Sequence, residues 1–194
     1  MTVLRLDTRY HTYGDYLTWS ASHGDELIDG TAYIRDPPAP SRSHQSVVLE
    51  LGRQLANTLE GKPCRVYVTP FDVRLPRSTE QDDEIDTVVQ PDVLIVCDLQ
   101  KLDTRGVRGA PDWLAEVLSP GTARHDKIVK LRVYERVGVR EVWFIDPIKR
   151  ALIIHRLQGG RYERAALLEL KGQTPLTAVP DVTIDWDQVL AEIS

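Results

Sequence analysis

Only two cysteines, Cys64 and Cys97, occur in 194 residues, far apart and with no CxxC pair. A zinc site or a disulfide framework is therefore not expected, and Cys97, ending the run from Val93, reads as a small core residue. No segment approaches the ~20 apolar residues of a membrane span. Met1 to Tyr10 carries two arginines and no apolar stretch of signal-peptide length, so a cytoplasmic location is expected. The chain has no GxSxG, no Walker A loop and no GxGxxG, which removes the chemistries those loops support. His11, His23, His125 and His155 show no ligand-like spacing. There is no internal repeat and no low-complexity tract. The formal net charge of -5 does not suit a general nucleic-acid binder, so any such contact must rest on a local patch.

What is present is ordinary for a globular protein: 42% hydrophobic and 27% charged residues. The length suits a single domain over 1–194. Residues 13–24 read as a short helix plus loop. Glu26 to Ile34 reads as a hairpin, because Asp29-Gly30 favours a tight turn. Pro37, Pro38 and Pro40 form a breaker. A helix is predicted from a cap at Ser43, through Val47, Val48, Leu51, Leu55 and Leu59, to Gly61. Arg65 to Leu75 reads as one strand, and the acidic stretch 76–87 as an exposed loop.

Val88 to Cys97 and Trp113 to Leu118 are nearly all apolar, as central strands covered on both faces are. Residues 126–137 are predicted helical, with Gly138 as the stop. Glu141 to Ile145 is a further strand. Ala151 to Leu157 and Tyr162 to Leu168 form a second hairpin around Gly159-Gly160. This order describes an α/β fold, a mixed sheet flanked by helices.

Two carboxylates interrupt the apolar runs. Side chains alternate along a strand, so Asp92 shares a face with Leu94 and Val96, and Glu116 with Leu114 and Leu118. A buried unpaired charge costs several kcal/mol, so each needs a cation, a base or a proton. Two such carboxylates on adjacent strands, with water, make a hard-oxygen site suited to Mg²⁺. The competing reading is that Asp92 ends its strand solvated and Glu116 pairs with an arginine. Residues 124–140 hold six basic residues against Asp126 and Glu135. Lys127, Lys130 and Tyr134 share a helix face there. Lys130 lies between apolar Val129 and Leu131, while Lys127 falls in the first turn, where a cation is mildly disfavoured. The bland alternative pairs Asp126 with Lys130 at i, i+4.

The stretches ELIDG (26–30), SHQ (43–45), QPDVLIV (90–96), AEVLSP (115–120) and DKIVKLRVYERVGVREVWFIDP (126–147) resemble the Uma-two family of bacterial proteins, part of the PD-(D/E)XK restriction-endonuclease-like superfamily. The resemblance implies a restriction-endonuclease-like fold and a metal-dependent phosphodiesterase site. Asp92 falls on the motif's aspartate and Glu116 on its D/E position, the two metal ligands, with a backbone carbonyl near Val117 assisting. Leu118 stands where the superfamily has lysine. The resembling family carries its lysine on the following helix, at Lys130, with Lys127 the nearby substitute. Glu26 and His44 match positions near the site. Their bland readings are a hairpin ion pair and a helix-terminal hydrogen bond. The implied function is Mg²⁺-dependent hydrolysis of phosphodiesters in DNA, with Mn²⁺ able to substitute. The alternatives are a catalytically silent nucleic-acid- or partner-binding module and an enzyme acting on a smaller nucleotide. A homodimer is expected, since two-fold symmetry reaches both strands of a duplex, with Trp19, Trp186 and Val189 as candidate contacts.

Overall fold

The structure is a computed structural model that describes residues 4–19, 25–35 and 40–193. Part of the loop expected within 13–24, and Pro37 and Pro38 of the breaker, lie outside the described residues. After β1 (Leu4–Asp7) and α1 (Tyr13–Tyr16), the predicted hairpin forms as β2 (Glu26–Ile28) and β3 (Thr31–Arg35). Its turn residues Asp29 and Gly30 have φ of 51° and 77°, the left-handed pair that a two-residue hairpin turn demands. Gly30 is also required sterically, because a Cβ there would lie 2.3 Å from the Tyr10 ring.

Helix α2 runs from Arg42 to Leu59. Its cap is Ser41 rather than Ser43: the Ser41 Oγ accepts from the His44 N–H at 3.2 Å. The expected strand over 65–75 is two strands, β4 (Arg65–Val68) and β5 (Val73–Arg74), in different sheets. The run 88–97 likewise divides into β6 (Val88–Val89) and β7 (Val93–Val96). Apolar runs mark burial, and a chain that stays buried while crossing between two sheets looks continuous in sequence. Within 76–87, residues 82–84 form a short 3₁₀ turn, and Ile85, Asp86 and Thr87 are buried rather than exposed.

The next strands are β8 (Leu102–Asp103), β9 (Gly106–Arg108) and β10 (Trp113–Val117). A helical stretch follows in three parts: α3 (Ala123–His125), a π-helical turn (Asp126–Lys130) and α4 (Leu131–Val137). Gly138, with φ of 86°, ends it. Then come β11 (Glu141–Asp146), β12 (Ala151–Gln158), β13 (Arg161–Tyr162) and β14 (Ala166–Glu169). The chain closes with a ribbon of β15 (Gln173–Pro175) and β16 (Thr183–Asp185), and with α5 (Trp186–Ala191).

The strands form two seven-stranded sheets. One is ordered β1-β3-β2-β6-β5-β9-β8; the other is β13-β12-β11-β10-β7-β4, with β14 also on β12. In the second sheet β10 pairs parallel with β11 and antiparallel with β7. Its two faces belong to two apolar cores. Val93, Ile95, Trp113 and Ala115 pack with α2, while Leu94, Val96 and Leu114 pack with Val133 and Tyr134 of α4. The central strands are thus covered on both sides by helices, a mixed α/β architecture.

Two further sequence expectations are corrected. Cys64 and Cys97 are joined by a disulfide, because the β4–β7 register that sets Arg65 against Val96 brings the next two residues face to face. Trp186 and Val189 are fully buried and cannot form a dimer surface. The Trp186 ring lies 6.0 Å from that of Trp143, and its Nε1 donates to the Thr174 Oγ1 at 2.9 Å. Trp19 is partly covered and packs on Tyr16. No helix among the described residues is long and apolar enough to cross a membrane.

Candidate active site

Asp92 stands one residue before β7, at the point where the chain crosses between sheets. Val93 pairs with Ala115, so extending that register one step puts Asp92 across from Glu116. The Asp92 Oδ2 accepts the Val117 N–H at 2.7 Å, a donor that strand pairing would otherwise satisfy. The His44 Nε2 is 3.3 Å from the same oxygen. Asp92 is 8% exposed, so it does not end its strand in solvent.

Glu116 lies on β10 and is buried. Its Oε1 receives the Lys130 ammonium at 2.6 Å and the Tyr134 hydroxyl, which donates at 2.5 Å. The cation beside Glu116 is therefore a lysine, not the arginine of the competing reading. Burial pushes the Glu116 carboxyl up to about 8. Lys130 opposes that shift, while the negative charges of Asp126, Asp92 and Glu26 add to it. Burial and the Glu116 charge hold the Tyr134 phenol well above its ordinary value.

Lys130 is fully buried and bridges two carboxylates, with the Glu26 Oε1 at 2.7 Å. Glu26 is in turn held at both oxygens. The Gln90 N–H donates to Oε1 at 3.1 Å, and the His125 Nε2 is 3.2 Å from Oε2. Glu26 thus joins the cluster across the two sheets and is not a pair within its own hairpin. His44 fills its bland role, its N–H bonding the Ser41 cap, and also reaches Asp92. Lys127 is partly exposed and has no ion pair among the described residues. The π turn accounts for the difference between the lysines. It ends at Lys130, and the following α-helical turn sets Lys130 and Tyr134, four residues apart, over one carboxylate.

Sequence reasoning missed His125, which is buried with its ring 4.5 Å from that of Tyr33. It also missed the burial of Asp126, weighed only as a partner for Lys130, and the backbone role of Gln90. Tyr134 was placed on the Lys130 face, but its partner lies on another element and left no mark in the spacing.

Among the described residues, no three His, Cys, Asp or Glu side chains are arranged to chelate a metal ion by themselves. A site holding Mg²⁺ needs fewer: one or two carboxylates, with waters and substrate phosphates completing the shell. Asp92 and Glu116 fit that donor set.

The profile of the Uma2 family, described as "Putative restriction endonuclease", matches residues 14–187. The chain is 25% identical to an uncharacterized Synechocystis protein, slr1290, over 122 residues, 62% of this chain and 60% of that one. It therefore spans about three fifths of the length of that relative. Its fold is similar to that of a crystal structure of "a putative nuclease belonging to DUF820" from Anabaena variabilis. The TM-score is 0.73 at 16% identity, covering 94% of this chain and 99% of the other. The match across nearly the whole length places the chain in the Uma2 family of putative restriction endonucleases.

Proposed function

We propose that this chain is a Mg²⁺-dependent nuclease that hydrolyses phosphodiester bonds in DNA, with Mn²⁺ able to substitute. The observation that carries the reading is the meeting of Asp92, Glu116 and Lys130 from three elements in one buried cluster. Asp92 and Glu116 would hold the cation, which when bound supplies Lewis-acid polarisation of a phosphoryl oxygen. Lys130 orients the attacking water and stabilises the charge that develops on the phosphate. Tyr134 keeps the Glu116 carboxylate turned toward the lysine.

The burial of Lys130 and Glu116 favours a second reading, a catalytically silent module that keeps the fold for binding nucleic acid or a partner. A homodimer and a cytoplasmic setting belong to the first proposal; the dimer no longer draws on Trp186 or Val189.

The test is Mn²⁺-supported nicking of supercoiled plasmid, with folding followed by circular dichroism. Asp92→Asn, Glu116→Gln and Lys130→Met are each expected to lower the rate about 100-fold or more, and Lys127→Met to leave it near wild type. Loss in the Lys127 variant with the Lys130 variant active would overturn the lysine's assignment. A folded wild type that nicks nothing and binds no Mn²⁺ would leave the silent module.

A further inference from the structure

We propose that Glu26 is a positioning residue: it retains the Lys130 ammonium in the site while Glu116 gives its carboxylate to a divalent cation. This rests on the reading of Asp92 and Glu116 as the residues that hold that cation. The observation is that one fully buried ammonium lies 2.6 Å from the Glu116 Oε1 and 2.7 Å from the Glu26 Oε1. A buried ammonium must keep an anion beside it. Without Glu26, two positive charges, Lys130 and the cation, would draw on Glu116 at once, and each would weaken the other's hold. Glu26 supplies the second anion.

Glu26 is built for this role. Its two oxygens are pinned by the Gln90 N–H at 3.1 Å and the His125 Nε2 at 3.2 Å. The His125 ring is in turn packed against Tyr33. Gln90 belongs to the short Gln90-Pro91-Asp92 segment, so the backbone that fixes Glu26 also carries Asp92. Glu26 acts on the cation through Lys130 and is not itself a ligand.

Isothermal titration with Mn²⁺ alone, on variants checked by circular dichroism, tests this without any assay of cleavage. Lys130→Met removes the competitor for Glu116 and is expected to tighten Mn²⁺ binding about tenfold. Glu26→Gln removes one of the two carboxylates that touch Lys130, so the ammonium draws harder on Glu116, and is expected to weaken Mn²⁺ binding about tenfold. The Glu26→Gln/Lys130→Met double variant is expected to bind within about threefold of Lys130→Met, because coupled residues are non-additive. A double variant as impaired against Lys130→Met as Glu26→Gln is against wild type would make Glu26 a direct ligand and overturn the proposal. So would a Glu26→Gln variant that binds like wild type. Should Glu26→Gln not fold, His125→Gln loosens the same carboxylate. It is expected to shift binding in the same direction in wild type and not in the Lys130→Met background; a shift in both would again overturn the proposal. If neither wild type nor Lys130→Met binds Mn²⁺ in an Asp92-dependent way, the cation reading falls first and this proposal with it.

Discussion

Burying an ammonium is tolerated only where anions meet it, and at Lys130 they arrive from β2 and β10, elements distant in sequence. Asp92 follows the same logic with different partners, a backbone N–H and an imidazole. His155 shows burial acting on a base. Its ring lies 5.7 Å from both Phe144 and Tyr162, and burial holds the imidazole below its ordinary value while Glu135 pulls the other way. The folded state therefore takes up this proton less readily than the unfolded chain. The contribution to stability is complete above about pH 6.5, the unperturbed histidine value, and declines as the pH falls through the depressed folded value. His155→Phe is expected to show a smaller drop in melting temperature than wild type between about pH 7 and pH 5. Equal drops in the two proteins would refute this.

At the scale of elements, helix α2 and the hairpin of β2 and β3 were legible because local rules specify them: a 3.6-residue apolar period and a pair of turn residues, although the capping serine is Ser41 and not Ser43. The division of 65–75 and of 88–97 was not, since both halves of each run are buried and hydrophobicity does not say in which sheet. The C-terminal ribbon and α5 were also unforeseen. Trp186, at the start of α5, fills the core against Trp143, and its indole N–H is satisfied by Thr174. Trp186→Ala is expected to cost about 3–5 kcal/mol, read as a shift in the urea midpoint. A loss below about 1 kcal/mol, the scale of a surface substitution, would show that α5 is a loose appendage.

Across the whole molecule, the Cys64–Cys97 bond ties β4 to β7, the strand that Asp92 precedes, across 33 residues of sequence. Closing a loop of that length stabilises by about 3–4 kcal/mol on the chain-entropy account. Reductant is therefore expected to lower the melting temperature of the wild type and to leave that of a Cys64→Ala/Cys97→Ala variant unchanged. A wild type indifferent to reductant would mean that the pair is not bonded in solution. A cytoplasmic setting keeps most thiols reduced, so the same measurement bears on that part of the proposal.

The sequence by itself determined the fold class, the two buried apolar runs that each carry a carboxylate, and the helical stretch after them that holds a lysine. These follow from local periodicity and from the cost of placing charge among apolar residues. Only the tertiary structure decided which groups those charges meet. The Lys130–Glu26 contact joins the π turn to β2, the Glu26–His125 contact joins residues 99 apart, and the disulfide depends on a strand register. No spacing rule reaches such distances, because each depends on how separately formed elements pack.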